Sequence, residues 1–148
     1  MAAERNTERE IQYAVGFMFN PGRNTVLLLQ KTHPQWQFGM WNGPGGKLEP
    51  GETPAAAMRR EFLEETGLDI QTWEQYAELA GLGFRIFFFR AFSGAIWNAK
   101  TMTEEIVDRF DVDDLPGTIM TNAEWLIPMA LSIDRDRAAG FLVQELAA

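Results

Sequence analysis

The chain has 148 residues, no cysteine and a formal net charge of −8. That length suits one domain with a real core, and the absence of cysteine excludes disulfides and thiolate chemistry. The acidic balance argues against holding a nucleic acid polymer on a basic surface, but not against a nucleotide, whose phosphates a bound metal can neutralise locally.

Met1 to Glu10 is polar and charged and reads as a flexible lead-in to a single domain spanning 1–148. It has no apolar core of a secretory signal, and no run along the chain reaches the length of a membrane span, so cytoplasm is the expected location. Ile11 to Phe19 reads as a strand with Tyr13, Val15, Phe17 and Phe19 on one face. Asn20-Pro21-Gly22 punctuates it, and Thr25 to Gln30 follows as a buried strand, so the pair forms a hairpin. Lys31 to Met40 is a loop carrying the single histidine, His33, to which no catalytic part is assigned.

Trp41-Asn42-Gly43-Pro44-Gly45-Gly46-Lys47 is a glycine-rich stretch that permits close backbone approach to a ligand. It leads into an acidic helix. Thr53 is a cap, Pro54 a first helical residue, and Gly67 a left-handed stop. Met58 and Phe62 give the helix an apolar stripe. Glu61, Glu64 and Glu65 lie at i, i+3 and i+4, so their carboxylates share a face. Such like-charge pairs destabilise an isolated helix by roughly 0.2–0.5 kcal/mol each. Arg60 offsets part of this through an i, i+4 contact with Glu64, and a divalent cation such as Mg²⁺, which favours hard oxygen ligands, would offset far more.

Beyond the helix, Asp69 to Ala80 is an extended segment interrupted by polar residues. Phe84 to Phe92 is the clearest strand, apolar on both faces and therefore central. Thr103 to Leu115 is a further strand running into an acidic turn at Asp111, Asp113 and Asp114. Thr121-Asn122-Ala123-Glu124 has the form of a capping box before Trp125-Leu126-Ile127. Ile133 to Leu146 reads as a terminal helix weakened by Gly140. These elements predict an α/β fold, a mixed β-sheet between helices.

The spacing Gly46-x5-Glu52-x7-Arg60-Glu61-Phe62-x-Glu64-Glu65-x-Gly67-Leu68 matches the Nudix box at every specified position, and the chain resembles the Nudix hydrolases. The resemblance implies the Nudix-type α/β/α sandwich and hydrolysis of a phosphoanhydride by metal-activated water. It implies that Glu61, Glu64 and Glu65 bind Mg²⁺, with Mn²⁺ as a substitute, and that one of them takes a proton from water, Glu61 being a candidate. It adds the carbonyl of Gly45 and a distal glutamate, Glu105 in preference to Glu104, as metal ligands. Glu52 and Arg60 match positions that brace the loop against the helix.

The Trp41 to Lys47 stretch is similar to that of the MutT-type enzymes acting on oxidised purine nucleoside triphosphates, especially their animal counterparts. That similarity implies that Asn42 reads the base edge, Trp36 stacks on the base, and Gly46 and Lys47 approach the phosphates; Asn122, where the pattern departs, can still bond a base. Two of these have plain structural alternatives: Asn42 as a turn residue and Trp36 as an ordinary tryptophan. The animal enzymes carry an acidic pair where this chain has Asn122 and Ala123, which weakens the expectation for oxidised purines and leaves that for a nucleoside triphosphate. Two alternatives are hydrolysis of another nucleoside diphosphate derivative, such as a nucleotide sugar or dinucleotide, and a non-catalytic nucleotide-binding module.

Overall fold

The computed structural model describes residues 10–133 and 141–144. The chain builds β1 (Ile11–Phe19), β2 (Thr25–Gln30), β3 (Trp41–Asn42), β4 (Gly45–Lys47), α1 (Pro54–Thr66), β5 (Glu74–Gly81), β6 (Phe84–Phe92), β7 (Val107–Asp111), α2 (Thr121–Ser132) and β8 (Phe141–Gln144). The sheet runs β3-β2-β1-β6-β5-β8, with β4 also paired to β1 and β7 to β2. It is mixed: β1 lies parallel to β6 from Ile11↔Phe84 to Phe19↔Phe92, β5 lies parallel to β8, and β1 meets β2 antiparallel.

Strand alternation divides the apolar residues between two cores. Ala14, Met18, Leu27, Leu29 and Phe89 point to one side and pack with Ala57, Met58 and Phe62 of α1. Phe17, Phe19, Val26, Leu28 and Phe88 point to the other and pack with Ala123, Leu126, Ile127 and Ala130 of α2. The result is the expected α/β/α sandwich, with β6 central between β1 and β5.

α1 begins and ends as its sequence directs. The Thr53 hydroxyl accepts from Ala56 N–H at 3.1 Å, Pro54 opens the helix, and Gly67 closes it at φ 77°. The helix lies so close over β1 that a Cβ at Gly16 would stand 2.8 Å from Met58 and Trp73. No helix among the described residues is long and apolar enough to cross a membrane.

Three expectations need correction. The terminal helix over Ile133 to Leu146 does not form at Phe141–Gln144, which is instead strand β8 on the edge of β5; the rest of that stretch beyond Ile133 lies outside the described residues. Phe141-Leu142-Val143 suits a strand better than a helix, and the open edge of β5 offers unpaired backbone groups. The capping box is also absent: Thr121 is already helical, and the N-cap is Met120, without a side-chain cap. Met120 N–H donates to Trp41 O at 2.8 Å, so β3 rather than a threonine hydroxyl fixes the entry to α2. The strand expected over Thr103 to Leu115 is confined to Val107–Asp111, paired with β2.

Phe62 is fully buried and meets Trp73 edge-to-face at a centroid distance of 4.9 Å. Phe62→Ala leaves a cavity under the box helix and should cost about 3–5 kcal/mol of stability, read from a urea melt.

Candidate active site

Two anchors lock the box loop to its helix. Arg60 donates to Glu52 from Nε at 2.8 Å and from the guanidinium Nη2 at 2.9 Å. The bidentate pair holds the Glu52 carboxyl down at about 2, with the Arg60 hydrogen bond as the main cause. The same guanidinium donates to the Lys47 carbonyl at 3.1 Å, to Glu61 at 2.9 Å and to Glu64 at 3.4 Å. Glu52 and Arg60 therefore stand where bracing residues would.

The second anchor is glycine. β4 lies antiparallel against β1, with Val15 opposite Gly45 and Ala14 opposite Gly46. A Cβ at Gly45 would fall onto the Ala14 carbonyl, and one at Gly46 would sit 2.5 Å from the Glu61 carboxylate. Glycine at both places lets the strand lie flat under α1 and lets Glu61 close over it.

Glu65 lies beneath this cover, 6% exposed. Its Oε1 accepts from Gly45 N–H at 3.1 Å, while its Oε2 is buried with no partner among the described residues. Burial first, and then the charge of Glu61, push its carboxyl up to about 8; Glu105 adds to the rise and Lys31 opposes it. Glu105, also 6% exposed, accepts from Thr32 N–H at 2.8 Å and lies 3.5 Å from the Lys31 ammonium. Glu104, in contrast, is exposed beside His33, so burial distinguishes the two distal candidates.

The expected shared face of three glutamates thus divides. Glu65 is buried, and the charges of Glu61 and Glu105 both bear on it, whereas Glu64 is 55% exposed at the rim. No cluster of three or more acidic or histidine side chains already converges to hold a metal among the described residues, since each inward carboxylate is tied to a separate donor. A buried carboxylate oxygen without a partner costs free energy. With hard oxygen donors beside it, the arrangement fits a divalent cation.

The other candidates sit on β3, on β4, in the loop before β3 and at the start of α2. Asn42 Oδ1 accepts from Gly43 N–H at 2.8 Å, so its oxygen serves the turn while its amide N–H groups remain to meet a ligand. Trp36, in a short 3-10 turn, is 69% exposed, and Lys47 is exposed at the end of β4. Asn122 sits in the first turn of α2 with its Oδ1 buried and unpartnered among the described residues, and Ala123 is fully buried beside it. Trp41 N–H donates to Thr118 O at 3.0 Å, which clips the approach to α2 against β3. Sequence reasoning missed Lys31 and the Thr32 N–H. The available signal was Lys31 itself, the one lysine or arginine between Arg23 and the box loop, directly after a buried strand.

The family described as NUDIX domain matches residues 10–131 of this chain. An oxidized purine nucleoside triphosphate hydrolase from Danio rerio is 33% identical over 129 residues, which cover 82% of this chain and 78% of that protein. An 8-oxo-dGTP diphosphatase from Proteus vulgaris is 36% identical over 63 residues, 43% of this chain and 55% of the relative. A Mycobacterium tuberculosis relative is 48% identical over 46 residues, 31% of this chain and 33% of its own length. The chain thus spans a third of one bacterial relative and just over half of the other. Among solved structures, a MutT protein from Bacillus halodurans gives a TM-score of 0.65 at 24% identity, covering 84% of both chains. A MutT NUDIX hydrolase from Burkholderia pseudomallei gives 0.68 at 19% identity, covering 80% of this chain and 96% of that one. At these identities the likeness is one of fold.

The raised Glu65 carboxyl has a measurable consequence. The folded state keeps a proton that the unfolded chain releases near 4.5, so the stability from this group is full below that pH and is lost as pH rises through about 8. Urea melts in EDTA should therefore show stability falling across this window, by at most about 1.4 kcal/mol per pH unit. Glu65→Gln should flatten the fall and stabilise the metal-free protein at its alkaline end. An unchanged pH profile in the variant would show that Glu65 is not the group responsible.

Proposed function

The chain belongs to the Nudix family, and we propose that it hydrolyses a nucleoside triphosphate, oxidised purine forms included, to the monophosphate and pyrophosphate, with Mg²⁺ as cofactor and Mn²⁺ as a substitute. The observation that carries this reading is the buried, half-unpartnered Glu65 between Glu61 and Glu105 under the Gly45–Gly46 strand. A divalent metal is general among Nudix hydrolases, and Glu61, Glu65, Glu105 and the Gly45 carbonyl are the groups that would hold it here. When bound, the cation supplies Lewis-acid charge at the phosphates and a more acidic water.

The chain's own residues supply positioning and proton transfer. Arg60 orients Glu61 while fixing Glu52 and the Lys47 carbonyl, so one guanidinium sets both the loop and the helix face. Glu64, exposed and held only by long contacts from Arg60, is the carboxylate freest to accept a proton from water. Lys47, at the end of the glycine strand, faces the phosphates. Trp36 offers its exposed ring to the base, the Asn42 amide donates to the base edge, and the Asn122 oxygen accepts from an N–H on the base. With Asn122 and Ala123 in place of an acidic pair, base choice is less strict than in a carboxylate-lined pocket. A cytoplasmic setting and a nucleotide as the substrate partner go with this reading.

Assayed with Mg²⁺ against unmodified and oxidised (d)NTPs, the protein should release pyrophosphate, and Glu64→Gln should lower kcat by on the order of 100-fold or more. Two monophosphate products from a nucleotide sugar or dinucleotide, with no pyrophosphate from any triphosphate, would contradict the triphosphate assignment. Trp36→Ala should raise KM by roughly 5- to 100-fold with kcat little changed, as expected for lost base stacking.

A further inference from the structure

Lys31 lies against the carboxylate cluster but outside the box. Its backbone is pinned from both sides: its N–H donates to Met40 O at 2.8 Å, and its carbonyl accepts from Gly39 N–H at 2.8 Å. The ammonium is only 3.5 Å from Glu105 Oε2, with side-chain exposures of 17% and 8% for the two residues. Its charge also bears on Glu65. Arg60, the other cation at the site, is already committed to Glu52, Glu61 and the Lys47 carbonyl. Among the described residues, the cation paired with Glu105 is Lys31, on a flexible stem.

We propose that Lys31 is the tethered counter-ion of this site, paired with Glu105 in the metal-free protein and yielding its place when a divalent cation enters. The proposal rests on the reading that these carboxylates bind such a cation. Without metal, the ammonium compensates the buried Glu105 carboxylate, 3.5 Å away in a poorly solvated gap. Once a doubly charged ion sits among the same carboxylates, the ammonium becomes a like-charged neighbour, and its four-carbon stem lets it withdraw. Lys31 is therefore a positioning residue that sets the metal affinity of the site from outside the ligand set.

Mn²⁺ binding to the nucleotide-free protein, followed by electron paramagnetic resonance of the free ion, separates this role from simple packing. Lys31→Met should bind Mn²⁺ about ten-fold more tightly than the unaltered protein, while its metal-free thermal midpoint falls by several degrees. Lys31→Arg, which keeps the charge, should behave as the unaltered protein in both respects. If Lys31→Met does not fold, Lys31→Gln is read in the same way. Mn²⁺ affinity that is unchanged or weaker in the neutral variant overturns the counter-ion role. Failure of the underlying reading looks different: Mn²⁺ then binds neither protein, or binds as well after Glu65→Gln.

Discussion

The structure depends on a carboxylate placed where water cannot reach it. Glu65 is held by one backbone N–H from Gly45, and its other oxygen has no partner among the described residues. Burying such a group is unfavourable unless something compensates, and much of the surrounding sequence serves that requirement. Gly45 and Gly46 let β4 run beneath the helix without a Cβ in the way. Arg60 ties loop to helix and steadies Glu61. Thr32 and Lys31 hold Glu105 on the far side. The uncompensated oxygen is a cost to the fold that the proposed cation would remove.

The fold holds that arrangement rigidly. β1 pairs with β6 over its full length and carries β4 on its other edge, so the glycine strand is fixed to a strand paired on both sides. α1 packs over the same face through Met58 and Phe62. On the opposite face, α2 is anchored by the Tyr76 hydroxyl, which donates to Leu126 O at 2.8 Å, and by Arg90, which donates to Ala130 O at 2.6 Å and Ile133 O at 3.0 Å. The first turn of α2, with Asn122, is consequently set in place by packing and by the Trp41–Met120 bond. A flexible loop would not hold it there.

Where local rules decided the outcome, the sequence was readable. Thr53, Pro54 and Gly67 bounded α1, alternation placed β1, an apolar run placed β2, and the doubly apolar pattern marked β6 as central. The resemblance of the box marked Glu52 and Arg60 as residues bracing the loop against the helix, and the two do pair. Tertiary contacts decided the remainder. Helical spacing put three glutamates on one face, but only what packs above them distinguishes buried Glu65 from exposed Glu64. Met120 took the N-cap because β3 had claimed its backbone, and Phe141–Gln144 became a strand because β5 had a free edge. Lys31 looked like an ordinary loop residue, since its meaning lies in Glu105, far along the chain.

The central claim is that Glu61, Glu65 and Glu105 together form a divalent-cation site. Anomalous diffraction from crystals soaked in Mn²⁺ tests it most directly, because the scattering locates the ion independently of any assay. The account predicts a peak beside Glu65 Oε2, within bonding distance of that carboxylate and enclosed by the other two. A peak only on the exposed Asp111–Asp114 turn, or none above noise with the cluster still bound to Lys31, would contradict it.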